Sequence, residues 1–211
     1  MKRKEPKNAN PVNGMEDANK FLEDALRRKK FYSTIVQHIS SVKQNGRFLE
    51  IGSGPCVLTE MLAKQLPEVQ FLAIDISPEI NKIAQEYIIA NNVRDRINII
   101  YGSAEDNQLL INFGKFDLIY STFAMHHWPD AKKIINQLYN RLNPEGNLII
   151  YDFIRVWWLY YLPVQSAFFP CLRSSFRIKE IKKILSDLNL HKYEITRKYL
   201  FFQRIEIKKS N

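Results

Sequence analysis

Glu50, Gly52, Gly54 and Asp75 are the residues whose types and spacing could do chemistry. Leu49 to Cys56 reads LEIGSGPC, an apolar run that breaks into two glycines with Ser53 between them. Such a turn lets backbone come close to a nucleotide. In a dinucleotide fingerprint GxGxxG, the third glycine would fall three positions after Gly54, and Val57 stands there. The approach that a diphosphate needs fails at that point. Two carboxylates flank the turn instead. Glu50 precedes it, and Asp75 follows 25 residues later, at the end of the apolar run QFLAIDIS. A third candidate group is His126 and His127 in AMHHWPD, which titrate near neutral pH and could take a proton. Two adjacent histidines without a third clustered ligand do not specify a metal. Neither Cys56 nor Cys171 sits in a ligand pair with metal spacing.

These groups need a scaffold. Hydrophobic residues make up 45% of the 211 and charged residues 25%, as expected for one compact domain with a real core. Residues 1–14 are polar and basic and read as a disordered tail; residues 15–44 carry helical apolar spacing and read as an N-terminal extension closing over the ligand. Residues 45–211 form the main domain. In it RFLEIG, QFLAIDIS, INIIYG, FDLIYSTF and NLIIYDF read as strands. Helices are expected from Pro55 to Leu66, from Pro78 to about Asn91 with Ser77 as cap, from Asp130 to Leu142, and near Arg177 to Asn189. Asn143-Pro144-Glu145-Gly146 is a strong stop signal for the third of these. The alternation predicts an α/β domain with a mostly parallel sheet and helices on both faces. HKYEITRKYL and LFFQRIEIKK leave no room for a helix between them, so they predict an antiparallel hairpin that closes the sheet.

A ligand without a pyrophosphate suits the turn. S-adenosylmethionine carries a sulfonium beside its ribose, and calls for acidic groups where a dinucleotide calls for a phosphate cradle. Glu50 can face an ammonium group directly or through water, and the two oxygens of Asp75 can accept from both ribose hydroxyls. In an open sheet both sit at carboxyl ends of neighbouring strands, where ligands bind. LEIGSGPC, AIDIS, FDLIYSTFAMHHW and RLNPEGNLIIYD together resemble the ordered motifs of class I S-adenosylmethionine-dependent methyltransferases over about Gly46 to Asp152. The resemblance implies a three-layer, Rossmann-like, seven-stranded sheet whose last strand is antiparallel to its neighbours. It also implies cofactor contacts from Glu50, Gly52, Ser53, Gly54, Asp75 and Ile76, the last flanking adenine. Ser103, Ala104 and Glu105 match the loop at the adenine edge, and Ser121 to Phe123 the segment beside the methyl group. This chain departs from the pattern twice, with Cys56 where a third glycine is common and Ser103 where aspartate is usual.

The acceptor is less legible. The aromatic stretch 154–176 contains Trp157, Trp158 and Tyr161, and the resemblance makes it a substrate-side wall for a small, apolar or aromatic acceptor. A net charge of +9, with 11 basic and 4 acidic residues from Arg173 onward, leaves open an RNA or other nucleic-acid acceptor and a lipid or quinone acceptor at a membrane surface. Ser121-Thr122-Phe123-Ala124 is not the Asn/Asp-Pro-Pro-aromatic tetrad of amino-directed nucleic-acid enzymes, so nucleic acid is not favoured. A cofactor-binding interaction protein without transfer activity is a further alternative. The longest apolar run, Val156 to Pro170, is too short and proline-broken to span a bilayer; with no signal-like start, the expected setting is cytoplasmic.

Overall fold

The computed structural model describes residues 2–4, 12, 14–161 and 168–210. Seven strands form one sheet: β1 (Gly46–Ile51), β2 (Val69–Asp75), β3 (Ile97–Tyr101), β4 (Phe116–Thr122), β5 (Leu142–Phe153), β6 (Tyr193–Lys198) and β7 (Phe202–Lys208), in the order β3-β2-β1-β4-β5-β7-β6. Strands β1 to β5 pair in parallel. β7 is antiparallel to both β5 and β6, so the hairpin expected at the end of the chain is present and the sheet is of the expected kind. The strand order reverses between β1 and β4. At such a switch point the loops leaving the two strands diverge and open a crevice at their carboxyl ends.

Nine helices are seen among the described residues: α1 (Gly14–Arg27), α2 (Lys29–Val42), α3 (Val57–Gln65), α4 (Pro78–Ala90), α5 (Asn107–Asn112), α6 (Ala131–Asn140), α7 (Trp157–Tyr160), α8 (Phe168–Ser174) and α9 (Ile178–Asp187). Successive strand side chains point to opposite faces, and β1 divides its apolar residues accordingly. Phe48 packs with Leu118, Tyr120 and Ile149 in the core shared with Ile35 and Ile39 of α2 and Leu62 of α3. Leu49 and Ile51 pack on the other side with Ile119, Leu148 and Ile150, against Ile134 and Leu138 of α6 and Ile181 of α9. Both layers are thus tied to the strand that ends at the glycine turn. Burying each large aliphatic chain contributes about 1.5–3 kcal/mol, which fixes that strand's end in place. Of the 15–44 stretch, α2 lies in the main core, whereas Ala18 of α1 joins a smaller cluster with Ile80 and Ile83 of α4.

Four local features differ from the sequence-based expectation. The helix expected from Pro55 begins at Val57, because Gly54 and Cys56 both take left-handed backbone and prolong the turn. Asn143-Pro144-Glu145-Gly146 does not separate α6 from a strand. It is extruded inside β5, where Phe116 pairs with Leu142 and Leu118 with Asn147, and Glu145 has φ 59°. The short helix α5 was not expected; Asp106 caps it by accepting from the Leu109 N–H at 3.0 Å. Within the expected tail, Arg3 is docked: it donates to the carbonyls of Ser174 at 2.6 Å and Trp128 at 3.0 Å. Most of the rest of residues 1–14 lies outside the described residues, as do 162–167 of the aromatic stretch.

Candidate functional site

The carboxyl ends of β1, β2 and β4 form the floor of a pocket, with Glu50, Asp75 and Thr122 lining it together with Gly52, Ser53, Gly54 and Ile76. Its shape depends on the glycines. Gly52 has φ 69°, and a Cβ there would meet the Cβ of Ala124 at 2.5 Å. Gly54 has φ 53°, and its missing Cβ faces a Phe21 ring carbon of α1 at 3.2 Å. The turn is pinned to β2 by the Gly52 N–H, which donates to the Ile74 carbonyl at 2.8 Å. Cys56, where a third glycine would relieve the backbone, holds φ 58° and is fully buried. A side chain in this conformation costs roughly 1–2 kcal/mol, tolerated here because the thiol fills the core. Burial pushes that thiol far up from its usual range, so it is a packing group and not a nucleophile.

Asp75 is held from both sides. Its Oδ2 accepts from the Gly54 N–H at 2.8 Å and its Oδ1 from the Ser77 N–H at 3.0 Å, while burial lifts the carboxyl above its ordinary range against those donors. Each oxygen keeps further lone-pair capacity toward the pocket, as a cis-diol would need. Glu50 is 2% exposed and accepts from the hydroxyls of Thr59 and Thr122. Burial is the largest influence on it and raises its pKa to about 8, with Asp75 pushing the same way and the threonine hydroxyls opposing. A buried carboxyl on a pocket wall, without an ion-pair partner among the described residues, is a site that a positively charged ligand would complete.

The loop after β3 supplies the opposite wall. Ser103, Ala104 and Glu105 all line the pocket. Ser103 Oγ accepts from the Glu105 N–H at 3.2 Å, so the hydroxyl standing where aspartate is usual caps its own loop. Ser121 is not on the wall: it is fully buried and its hydroxyl donates to the Ile51 carbonyl at 2.8 Å, tying β4 to β1. Its neighbours Thr122 and Phe123 line the pocket in its stead.

The two histidines, adjacent in sequence, have opposite electrostatics. His126 is 1% exposed and its Nδ1 lies 2.7 Å from the Asp152 carboxylate of β5. Burial would lower its pKa, but the Asp152 charge and hydrogen bond outweigh this and raise it to about 10. His126 is therefore a cation at neutral pH, with no capacity to accept a proton. His127 lines the pocket, and burial together with the neighbouring His126 charge lowers its pKa to about 4. It is neutral and weakly basic.

Trp157, Trp158 and Tyr161 are not brought to the pocket. They are 69%, 39% and 69% exposed and outside its lining. The reason lies in Ile154 and Arg155: the Ile154 N–H bonds the Phe201 carbonyl, and Arg155 turns inward to Glu180, so the chain leaves β5 away from the crevice. Aromatic walls come from elsewhere. Phe123 of the pocket stacks on Phe153 at 5.0 Å between centroids, and Phe31 and Phe202 pack at 5.7 and 5.6 Å from it. Phe21, Arg28 and Tyr32 of the first two helices also line the pocket. The helical apolar spacing over residues 15–44 includes Phe21, and only the fold shows that it lines the pocket.

Residues 49–148 match the family model described as "Methyltransferase domain". The chain is 30% identical over 105 residues to the malonyl-acyl-carrier-protein O-methyltransferase of Priestia megaterium (strain DSM 319 / IMG 1521), a match over 50% of this chain and 36% of that protein. It is 26% identical over 125 residues to the ubiquinone/menaquinone biosynthesis C-methyltransferase of Wigglesworthia glossinidia brevipalpis, over 59% of this chain and 49% of that protein. It thus matches between about a third and a half of these curated relatives' length. Among solved structures, a protein described as an S-adenosyl-L-methionine-dependent methyltransferase from Methanococcus maripaludis superposes with TM-score 0.72 at 22% identity, over 96% of this chain and 97% of that one. The plantazolicin methyltransferase BpumL, in complex with a monoazolic desmethylPZN analogue and SAH, gives 0.70 at 17% identity over 92% and 90%. At these identities the structural likeness speaks for the fold.

Proposed function

We propose that this chain is a class I S-adenosylmethionine-dependent methyltransferase that transfers a methyl group from S-adenosylmethionine to a small, apolar or aromatic acceptor, a reading supported by the methyltransferase-domain match over residues 49–148 and by the fold. The observation that carries this reading is the pair of acidic side chains at adjoining strand ends, buried Glu50 and half-buried Asp75, lining one pocket beside a glycine turn with no room for a Cβ at Gly52. S-adenosylmethionine, when bound, supplies an electrophilic methyl carbon on a cationic sulfur. Everything else falls to the chain. Asp75 grips the ribose diol, Glu50 answers the methionine ammonium, and Ile76 with the loop Ser103 to Glu105 encloses the adenine. Such a displacement depends on alignment and on a dry site more than on proton transfer. Phe123, with Phe153 and Phe202 behind it, supplies an apolar wall for an acceptor. His127 borders that wall in its neutral form, and His126 with Asp152 holds the loop in place.

A labelled-methyl assay run in parallel on extracted metabolites, lipids and RNA tests this. Label is expected in small apolar compounds. Label confined to RNA would replace the acceptor class, and failure to bind either S-adenosylmethionine or its demethylated product in calorimetry would leave an interaction role only. A lipid or quinone acceptor at a membrane surface is the second reading, favoured by exposed Trp157, Tyr161, Tyr199 and Leu200 beside a basic C-terminal region. Among the described residues no helix is long and apolar enough to cross a membrane, so that contact would be peripheral.

Glu50 gives the cofactor reading a pH signature. With a pKa of about 8 it is mostly protonated at pH 7 in the free protein. An ammonium group favours the carboxylate, so binding lowers that pKa and expels a proton. Affinity therefore rises with pH up to about 8 and levels beyond it, by at most about tenfold per pH unit for one linked proton. Calorimetry at pH 7 in buffers of different ionisation enthalpy should show proton release, and Glu50→Gln should abolish it. Proton uptake, or none, would mean that Glu50 does not meet the cation.

A further inference from the structure

His126, His127 and Cys171 each offer a ligand atom, and the three atoms lie within 4.8 Å of one another. The sequence separates the cysteine from the histidines by more than forty residues, and α8 brings it back against the loop after β4. We propose that these side chains form a mononuclear site for a borderline-soft divalent cation of the zinc class. Three observations support it. His126 Nδ1 is taken by Asp152 at 2.7 Å, which leaves Nε2 as the other ring atom; that atom is buried, faces Cys171 and makes no hydrogen bond to an oxygen or nitrogen acceptor. His127 Nδ1 is likewise buried and without a partner. A carboxylate on the far nitrogen of a histidine is the usual device for fixing a metal ligand's tautomer and ring orientation. A cation at Nε2 takes the place of a proton there.

The ligand set selects the metal. Two imidazoles and a thiolate suit zinc-like ions, and three protein ligands leave a fourth tetrahedral position open. Ideal tetrahedral ligands stand about 3.3–3.6 Å apart, so small side-chain rotations close the set. His127 also borders the pocket, so the site would lie beside it. The two segments are clipped together independently by Arg3, whose guanidinium donates to the His126 carbonyl at 3.3 Å, the Trp128 carbonyl at 3.0 Å and, on α8, the Ser174 carbonyl at 2.6 Å.

The test uses the full chain, stripped with a chelator, dialysed and titrated with Co²⁺ and then Zn²⁺. One equivalent of cobalt is expected, with tetrahedral d–d bands and a thiolate-to-cobalt charge-transfer band, displaced by zinc. Cys171→Ser should lose the charge-transfer band, and His126→Ala should weaken binding at least tenfold. Asp152→Asn should weaken it about 10- to 100-fold without changing stoichiometry. His191→Ala controls for stray histidine binding and should change nothing, and circular dichroism on each variant separates lost ligation from unfolding. Substoichiometric binding by the wild type, or an unaltered charge-transfer band in folded Cys171→Ser, would overturn the site. The reading does not rest on methyl transfer: binding of S-adenosylmethionine is measured separately and can fail or succeed whatever the metal does.

Discussion

Replacing Asp75 with alanine should raise the dissociation constant for S-adenosylmethionine roughly 10- to 150-fold. That range corresponds to about 1.5–3 kcal/mol, the scale of hydrogen bonds to a charged group. The geometry sharpens the expectation. Asp75 already accepts one backbone N–H on each oxygen, from Gly54 and Ser77, so the side chain cannot swing away when a diol arrives. Its removal takes away both the grip on the ligand and the clamp that holds the glycine turn against β2. Asp75→Asn separates the two: it keeps an oxygen for one backbone donor but offers an N–H where the other was accepted. Both variants should weaken binding, with alanine the worse. A wild-type dissociation constant in folded Asp75→Ala would show that the ribose is held by other groups.

The largest expected effect on stability lies away from the pocket, at Arg155 and Glu180. The Arg155 side chain is fully buried, with Nη2 2.6 Å from Glu180 and Nη1 donating to the Ser175 carbonyl. Glu180 also accepts from the Arg177 backbone N–H at 2.8 Å, capping α9. Truncating the carboxylate leaves an uncompensated guanidinium in the interior and uncaps a helix. Glu180→Ala should cost about 3–5 kcal/mol. For a chain of this size, that lowers the melting temperature by roughly 6–20 °C. The double variant Arg155→Met/Glu180→Leu removes both charges and should be much less damaged, since the attraction of a buried pair barely exceeds its desolvation cost. Thermal unfolding by circular dichroism reads both. A shift of only a degree or two in Glu180→Ala would mean that water reaches Arg155 and solvates it.

The parts of the fold legible in sequence are those governed by local signals. The strand ending in Gly52 and Gly54, the Ser77-Pro78 helix start and the closing hairpin each follow from a few adjacent residues. Ser77 accepts from the Ile80 N–H as its type and position require. Asn143 to Gly146 misled because a turn signal says that the chain bends, not whether pairing resumes on the same strand. The candidate site divides along the same line. Glu50 and Asp75 were visible because β-strand ends in a parallel sheet converge by topology alone. Trp157 and Trp158 were conspicuous by type, yet their direction is set where Ile154 meets Phe201 and Arg155 meets Glu180, partners remote in sequence. Phe123, Phe153 and Phe202 come from three different strands or their ends and form a group only after the sheet is assembled. The approach of Cys171 to the histidine loop has no sequence signal at all, being a product of how α8 folds back.

The place of β7 has a further consequence, for synthesis. Phe202–Lys208 lies between β5 and β6, although β6 is made first. On a ribosome, β6 therefore emerges with no neighbour to pair with, and the rim of β5 stays open until the later strand clears the exit tunnel. A nascent chain that has emerged only as far as Lys198 would hold two unsatisfied edges, one on each side of a missing filler. Chaperone capture should be highest while the emerged chain ends at Lys198 and drop sharply once Phe202–Lys208 is also out.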